Sequence, residues 1–132
     1  MKLKLLDYRV VSLNLESIEQ DSSPVRQSND LDLQVGQFYP EDKDNIFGVG
    51  FRVSFRRDGY ALKVEMRFFF ETDDIITEEF KHSSFPVINA PAIAFPYLRS
   101  FLSIITMQSG FPPVMLPSIN FVEFAKTTQK HN

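Results

Sequence analysis

The sequence contains no cysteine, no tryptophan and only two histidines. Without cysteine the chain cannot form a disulfide bond, a thiolate metal site or a cysteine nucleophile, and this absence is compatible with a reducing compartment. His82 and His131 have no histidine or cysteine at the spacing of a metal-binding pair, so we interpret both as surface residues. We therefore expect neither a metal site nor a cofactor.

An excess of positive charge and long apolar runs are also missing. The formal net charge is -3 and the sequence pI is about 5.3, which argues against a nucleic-acid partner because phosphate contacts need a basic surface. Asp7 and Arg9 interrupt the first apolar run before it reaches the length of a signal peptide. No later run approaches the roughly twenty residues of a membrane span. The sequence thus predicts a soluble cytoplasmic protein without membrane insertion.

The acidic residues and glycines do not form a catalytic pattern. The acid pairs Asp73-Asp74 and Glu78-Glu79 have nothing nearby that predicts the buried pocket catalytic carboxylates need, so we interpret them as solvated loop residues. Gly48 and Gly50 resemble a fragment of a phosphate-binding loop, but they alternate within a strand and no helix follows them. With no nucleophile, base or metal set, the sequence does not predict an enzyme.

Phenylalanine is abundant, with 14 copies in 132 residues. A chain of this length predicts a single domain, residues 1–132, with a modest core and a high ratio of surface to volume. Association with further copies is a natural way for such a domain to cover apolar surface. We expect some of the phenylalanine rings to lie at an interface or in a binding groove.

Alternation of apolar and polar residues predicts the first two strands. The first strand runs from Lys4 to Glu16 and changes phase between Val10 and Val11, as a bulge would require. The polar segment from Ser17 to Asp30 predicts a long loop. Leu31 to Phe38 then alternates as a half-buried second strand does.

The segment from Ile46 to Glu71 predicts a β-hairpin around Asp58-Gly59, a pair typical of a two-residue type I′ turn. A slip of one residue would ruin the alternation on both strands, so the pairing is well specified. On one face the register pairs five sets of apolar residues: Phe55 with Leu62, Val53 with Val64, Phe51 with Met66, Val49 with Phe68 and Phe47 with Phe70. On the other face it pairs Ser54 with Lys63, Gly50 with Arg67, and Arg52 with Glu65 as a cross-strand ion pair.

A long helix is predicted from Phe95 to Ser109, after a connection that begins beyond Thr72. Pro96 suits the first helical position and Gly110 ends the helix. Its apolar stripe consists of Leu98, Phe101, Leu102 and Ile105, extended by Tyr97, Ile104 and Met107. Because this stripe is so wide, the sheet can cover only one side of the helix, and we expect a second subunit to cover the other. A last short helix follows Asn120, which can cap it while Glu123 reaches back.

The stretch from Ile88 to Phe121, INAPAIAFPYLRSFLSIITMQSGFPPVMLPSINF, resembles the SecB protein-export chaperone family. The resemblance rests on Pro91, the FPY at 95–97, Arg99 and the GFPPVMLPSINF at 110–121. It implies an α+β fold, with a four-stranded antiparallel sheet, a long helix packed on one face and a second C-terminal helix. It also implies a homotetramer, built as a dimer of dimers with the long helices sandwiched between subunits.

The resemblance implies a function as well. SecB chaperones hold unfolded secretory preproteins in hydrophobic grooves without ATP and pass them to the motor SecA for export through the Sec pathway. Glu65 matches an acidic sheet position of the family, and is therefore a candidate SecA contact. No catalytic residue is implied.

Two further sets of residues are expected to take part in binding. Aromatic rings that do not fit the core face are candidates for the client-binding groove, namely Phe38, Phe69, Phe121 and Phe124. For Phe121 and Phe124 an equally open alternative is that they pack the last helix against the domain. Residues of the long helix are candidates for the subunit interface, namely Tyr97, Phe101, Ser103, Ile104 and Met107.

The sequence departs from the family pattern around Glu65, which is surrounded by Arg52, Arg56, Lys63 and Arg67. It also ends in KTTQKHN, where family members that serve SecA commonly carry an acidic tail. Two hypotheses follow. The chain is either a holdase for unfolded preproteins or a SecB-like chaperone dedicated to one partner, such as the antitoxin of a toxin–antitoxin system.

Overall fold

The computed structural model describes residues 1–18 and 31–129. Its four strands form one antiparallel sheet in the order β1-β4-β3-β2, so β1 and β2 are the edges. The long loop predicted for 17–30 lies outside the described residues except at its first two positions. The elements are β1 (Leu3–Ser17), β2 (Asp32–Phe38), β3 (Ile46–Arg57), β4 (Tyr60–Thr72), α1 (Glu78–Lys81), a π-helical segment (Phe85–Asn89), α2 (Ala90–Gln108) and α3 (Phe121–Gln129).

The β3–β4 hairpin has the predicted register. Arg57 pairs with Tyr60, and every apolar and polar pair predicted from the sequence is found, including Arg52 opposite Glu65. Gly59 adopts a φ of 93°, whereas Asp58 has no positive φ. The predicted type I′ turn is therefore wrong, because that turn needs positive φ at both central residues, whereas a type II turn needs it only at the second.

Strand β1 pairs with β4 along its whole length and contains two irregularities. The register shifts between Val10 and Ser12, which confirms the predicted bulge, and a second shift lies between Leu5 and Asp7. Leu6 and Val11 are the extra residues at these two positions. Each bulge reverses the alternation of the strand and allows β1 to follow the twist of the sheet.

The core lies between one face of the sheet and helix α2. The predicted apolar pairs of the hairpin face inward and are at most 4% exposed. They meet Ala94, Phe95, Leu98 and Leu102 of α2, which are also buried. Burial of this continuous apolar layer is the main favourable contribution to folding, at roughly 25 cal/mol for each Å² removed from water.

The long helix α2 begins earlier than predicted. It starts at Ala90 with Pro91 in its first turn, so the predicted start at Phe95 is wrong and Pro96 lies inside the helix. Proline removes one intrahelical hydrogen bond. Ala92, whose carbonyl loses that donor, and Pro96 are both exposed, so water can replace the missing bond. The connection predicted ahead of the helix also contains α1 and the π-helical segment.

Together the π-helical segment and α2 form a helix of 24 residues, in which an 18-residue window has a mean hydropathy of 1.3. By length and composition alone it could cross a membrane, contrary to the prediction that no run approaches this length. Buried core helices pass the same test. Leu98 and Leu102 are fully buried against the sheet, so part of the apolar composition of α2 serves that packing.

The loop after α2 is fixed to the helix through the backbone of Val114. The buried Thr106 hydroxyl accepts a hydrogen bond from the Val114 amide at 3.0 Å, and the Ser103 hydroxyl donates to the Val114 carbonyl at 2.6 Å. Gly110 ends α2 with a φ of 96°, as predicted.

The predicted cap of α3 by Asn120 is confirmed, whereas the Glu123 carboxylate does not reach back to Asn120 as predicted and pairs with Lys126. The Asn120 side chain accepts hydrogen bonds from the Val122 and Glu123 amides. The Glu123 carboxylate lies 3.7 Å from the Lys126 ammonium. This ion pair links consecutive turns at the start of the helix.

Candidate functional site

Two phenylalanine rings lie together on the face of the sheet opposite α2. Phe38 ends the edge strand β2 and Phe69 lies on β4, and both are half-buried. Their ring centroids are 5.5 Å apart in an edge-to-face arrangement, a favourable geometry for aromatic pairs. The structure thus brings together two of the four predicted groove residues. We call Phe38 and Phe69 the outer aromatic pair.

The outer aromatic pair depends on a glycine between the two strands. Gly48 pairs with both Phe38 and Phe69 across the sheet. A Cβ atom at position 48 would lie 1.8 Å from the Phe38 ring, so the ring lies directly on bare backbone. Glycine at this position is therefore a steric requirement of the aromatic pair.

Next to the outer aromatic pair, two glycines leave the backbone of the sheet uncovered by side chains. Gly36 and Gly50 are paired across β2 and β3, and a Cβ atom at either would meet nothing closer than 4.0 Å. A shallow depression of about 270 Å³ lies here, with these glycines and Gln34, Val35, Gln37, Phe38, Arg52, Glu65 and Arg67 around it.

Arginine side chains cover the outer aromatic pair. The guanidinium carbon of Arg67 lies 5.5 Å from the centre of the Phe38 ring, and that of Arg9 lies 5.3 Å from the centre of the Phe69 ring. Both distances allow cation–π attraction. The site therefore combines two aromatic faces with positive charge.

Glu65 is held between two arginines on the same face. Its carboxylate lies 2.9 Å from the Arg52 Nε and 3.3 Å from an Arg67 terminal nitrogen. The Glu65 side chain is only 18% exposed, whereas the arginine side chains are 70% and 47% exposed. A partner approaching this candidate SecA contact meets the guanidinium groups before the carboxylate.

Phe121 and Phe124 do not join the outer aromatic pair. They lie on α3, and Phe121 is 4% exposed, with its ring 6.4 Å from that of Phe51 and 5.5 Å from that of Phe95. The prediction of Phe121 as an exposed groove residue is wrong, because the ring fills the core between sheet and helix. Phe124 packs against Phe121 at 5.8 Å and is half-buried.

A second apolar surface runs along α2 on the side away from the sheet. Tyr97, Ile104 and Met107 are 45%, 52% and 52% exposed, and Ile93 adds a fourth side chain at 41%. Their spacings of four, seven and three residues fit the 3.5-residue repeat of a helix–helix seam. Ile93 was missed in the sequence because the predicted helix began after it. We call these four residues the α2 stripe.

The edge strand β1 extends the α2 stripe. The Tyr8 ring lies 5.5 Å from the Tyr97 ring and 5.0 Å from the Phe68 ring, so it connects the two elements. An edge strand with this much apolar exposure is a typical site of association. The exposed residues of β1 are Leu6, Tyr8, Val10, Val11 and Leu13, each 39% to 45% accessible.

The other two residues predicted for the subunit interface lie elsewhere on α2. Ser103 is half-buried and bonded to Val114 of its own chain, because the loop after α2 covers that side of the helix. Phe101 is half-buried and packs against the core. Of the five predicted residues, only Tyr97, Ile104 and Met107 belong to an open face.

Two partly buried tyrosines, Tyr39 and Tyr60, have raised pKa values. Burial and the nearby Glu78 carboxylate raise the pKa of Tyr39 to about 12, and Lys81 lies 4.8 Å above the Tyr39 ring. Burial also raises the pKa of Tyr60, which stacks on Phe111 at 4.5 Å. Within residues 1–18 and 31–129 no group of three or more candidate ligands could hold a metal ion.

Comparisons with known proteins agree with the resemblance seen in the sequence. A family model described as preprotein translocase subunit SecB matches residues 7–132. Protein-export protein SecB 2 of Polaromonas naphthalenivorans is 32% identical, over 98% of this chain and 85% of that protein. An uncharacterized protein of Methanocaldococcus jannaschii is 29% identical, over 89% of this chain and 79% of that protein.

The fold is also found in a solved structure. The SecB-like chaperone of Mycobacterium tuberculosis, in complex with a peptide from an antitoxin, superposes with a TM-score of 0.67. The match covers 89% of this chain and 87% of that chain at 17% sequence identity. The predicted SecB-like arrangement of sheet, long helix and C-terminal helix is confirmed.

Proposed function

The chain belongs to the SecB family of chaperones, and from this premise we propose that it is an ATP-independent holdase that binds unfolded preproteins in the cytosol for export through the Sec pathway. Client segments bind at the outer aromatic pair and the depression beside it. The observation that carries this proposal is the position of Phe38 and Phe69 on the sheet face away from the core. Large rings at such a position offer contact area to an apolar segment of another chain.

Weak binding at this surface is sufficient for a holdase. An unfolded polypeptide presents many apolar segments, and several such sites within an oligomer would bind one chain with an avidity above that of any single site. Extended segments also present backbone hydrogen-bonding groups beside an edge strand such as β2. A surface that binds aromatic and apolar side chains in general would bind segments of many different client proteins.

A second candidate function is a chaperone dedicated to one partner such as an antitoxin. The two arginines around Glu65 favour this function, because their exposed guanidinium groups flank the less exposed Glu65 carboxylate. An acidic contact for SecA is therefore less accessible at this position. The antitoxin peptide bound to the SecB-like neighbour supports the same alternative. Crosslinking in the native cell followed by capture separates the two functions. Many unrelated precursors would support the export holdase, and one dominant partner would support the dedicated chaperone.

Self-association is part of the proposal. We place the α2 stripe and the exposed residues of β1 in contacts between subunits, with a dimer of dimers as the assembly. The two surfaces are continuous through Tyr8 and Tyr97, so one partner could cover both. Because a symmetric dimer buries the same patch on both subunits, each of these side chains would be buried on both subunits of the pair.

The test of the site is the double substitution Phe38→Ser and Phe69→Ser. We expect it to leave the fold and assembly nearly intact, because neither ring lies in the core. Binding of an unfolded model protein should weaken tenfold or more, which corresponds to about 1.4 kcal/mol. Ile75→Ser is a matched control, since Ile75 is 58% exposed in the loop after β4 and lies outside the site. Equal titration curves for the double variant and the wild type would remove the outer aromatic pair from the binding surface.

A further inference from the structure

One small residue, Ser100, interrupts the α2 stripe, and its position indicates how a second copy packs against the helix. On the basis of the self-association proposed above, we propose that the α2 helices of two subunits cross at Ser100. Each Ser100 then lies against Ser100 of the partner subunit on a two-fold axis. The occupant of the α2 stripe is thus a second copy of this chain in one defined arrangement.

Ser100 lies at the centre of the open side of α2. It is exposed, and it follows Tyr97 by three residues and precedes Ile104 by four. Ile93 and Met107 lie seven residues before and after it, which is about 10 Å along the helix in either direction. The five positions form one seam with spacings of four and three residues, in which only the central side chain is small.

Symmetry selects the small residue as the crossing point. When two copies pack across a two-fold axis, the residue at the closest approach of the two helices contacts the same residue of the other copy. Helix axes in contact lie about 8–10 Å apart, and the side chains at the contact set the distance. Two isoleucines or two tyrosines at that point would hold the helices apart, whereas two serines allow the larger side chains on either side to interlock.

The exposed apolar area is sufficient for such a contact. The four residues of the α2 stripe and the five exposed apolar residues of β1 are each 39% to 52% accessible. A large apolar residue has on the order of 200 Å² of surface, so the nine together present on the order of 800 Å². A standard stable interface buries about 800 Å² on each partner. A second copy that covers this area therefore meets the requirement of a stable dimer.

Charge does not oppose the contact. A symmetric contact brings each residue near its own copy, so a charged residue on the seam would face a like charge. The five seam positions are uncharged. Arg99, the one charged residue of α2, is half-buried beside the loop after the helix, in a depression that Ser103 and Met115 also line. The seam therefore carries no charge that would repel a second copy.

Disulfide formation tests the crossing point. The chain has no cysteine, so Ser100→Cys introduces a single thiol in each subunit. A disulfide needs Cα atoms within about 7 Å, which two copies of residue 100 reach only near the crossing. Under mild oxidation most of the Ser100→Cys protein should run as a covalent dimer on a non-reducing gel.

Ser109→Cys is the matched control. Ser109 is exposed at the end of α2, and it follows the buried Leu98 by three turns on the same side of the helix, away from the seam. The same substitution at this position should give no covalent dimer on the same gel.

The size of the side chain at position 100 gives a second, independent measurement. Ser100→Leu adds apolar surface, so an indiscriminate apolar contact would become stronger. At a close crossing the two added side chains overlap, and self-association should become at least tenfold weaker in light scattering over a dilution series. Ser100→Ala is the size control and should associate as the wild type does. Because Ser100 is exposed in the protomer, circular dichroism should remain unchanged in both variants.

The outcomes distinguish this crossing from the proposed function. An oligomeric Ser100→Cys variant without a covalent dimer, or a Ser100→Leu variant that associates as tightly as the wild type, would overturn the crossing at Ser100. Binding of an unfolded model protein is measured on the same wild-type oligomer. If that binding is absent while Ser100→Cys forms the covalent dimer, the holdase proposal fails and the crossing stands. A wild type that is monomeric at micromolar concentration would overturn the crossing and the proposed assembly together.

Discussion

The substitution Ile104→Arg on the α2 stripe should dissociate the assembly. Ile104 is 52% exposed in the protomer and lies between Tyr97 and Met107 on the open side of the helix. Complete burial of an isoleucine side chain contributes about 1.5–3 kcal/mol, so covering the exposed half contributes about 1 kcal/mol in each subunit. An unpaired guanidinium in the same contact costs several kcal/mol.

A symmetric contact carries the substitution twice. The combined loss is on the order of 5 kcal/mol or more, which corresponds to a more than thousandfold weaker association constant. Size-exclusion chromatography with light scattering should show the wild type as an oligomer and Ile104→Arg as a smaller species at micromolar concentration. The substitution changes no fully buried residue, so circular dichroism should remain unchanged.

The matched control is Ile75→Arg. Ile75 is 58% exposed, and it lies in the loop between β4 and α1 rather than on the α2 stripe. It introduces the same charge in place of the same residue, and the assembly should survive it. A wild type that is monomeric at micromolar concentration, or an Ile104→Arg variant of unchanged mass, would refute the assignment of the α2 stripe to a subunit contact.

Two further predictions concern stability. Gly48→Ala should lower the free energy of unfolding by about 1–3 kcal/mol, because the alanine Cβ would overlap the Phe38 ring. Gly36→Ala is the control, since its Cβ would meet free space, and it should change the free energy of unfolding by far less in the same urea titration. Comparable losses for the two variants would contradict the contact. Gly59→Val should lower the melting temperature at a cost of about 1 kcal/mol or more, because Gly59 adopts a φ of 93°. An unchanged melting temperature would show that the turn tolerates a β-branched residue.

The hairpin was predictable because two independent patterns agree there. Alternation on β3 and on β4 must match through a two-residue turn, and only one register pairs Phe51 with Met66 and Arg52 with Glu65. The turn type was not predictable from Asp58-Gly59, since that pair fits several turns in which glycine takes the positive φ.

The start of α2 was harder to predict. Pro91 and Pro96 both suit a first helical turn, and Asn89, the residue before α2, forms no side-chain cap hydrogen bond in the structure. The choice depends on tertiary packing, since Ala90 and Ala94 are fully buried and need the helical spacing. Starting the helix too late left Ile93 out of the stripe.

Membership of the candidate surfaces was only partly readable from the sequence. Phe38 and Phe69 fell out of phase with the core pattern, and both lie on the outer face. Phe121 followed a helical spacing that fits a core or a groove, and only the positions of Phe51 and Phe95 show that it fills the core. Ser103 could not be distinguished from an interface residue, because its bond to Val114 depends on how the following loop folds back.

The most direct test of the central claim compares the binding of one polypeptide in its unfolded and native forms, without nucleotide. A slow-folding preprotein is diluted from denaturant into the oligomer, and complex formation is followed by light scattering or fluorescence anisotropy. A holdase should bind the unfolded form at micromolar concentration or below, delay its folding and ignore the native form. If a verified oligomer binds neither form and leaves the folding rate unchanged for several unrelated preproteins, the chain is not a general holdase.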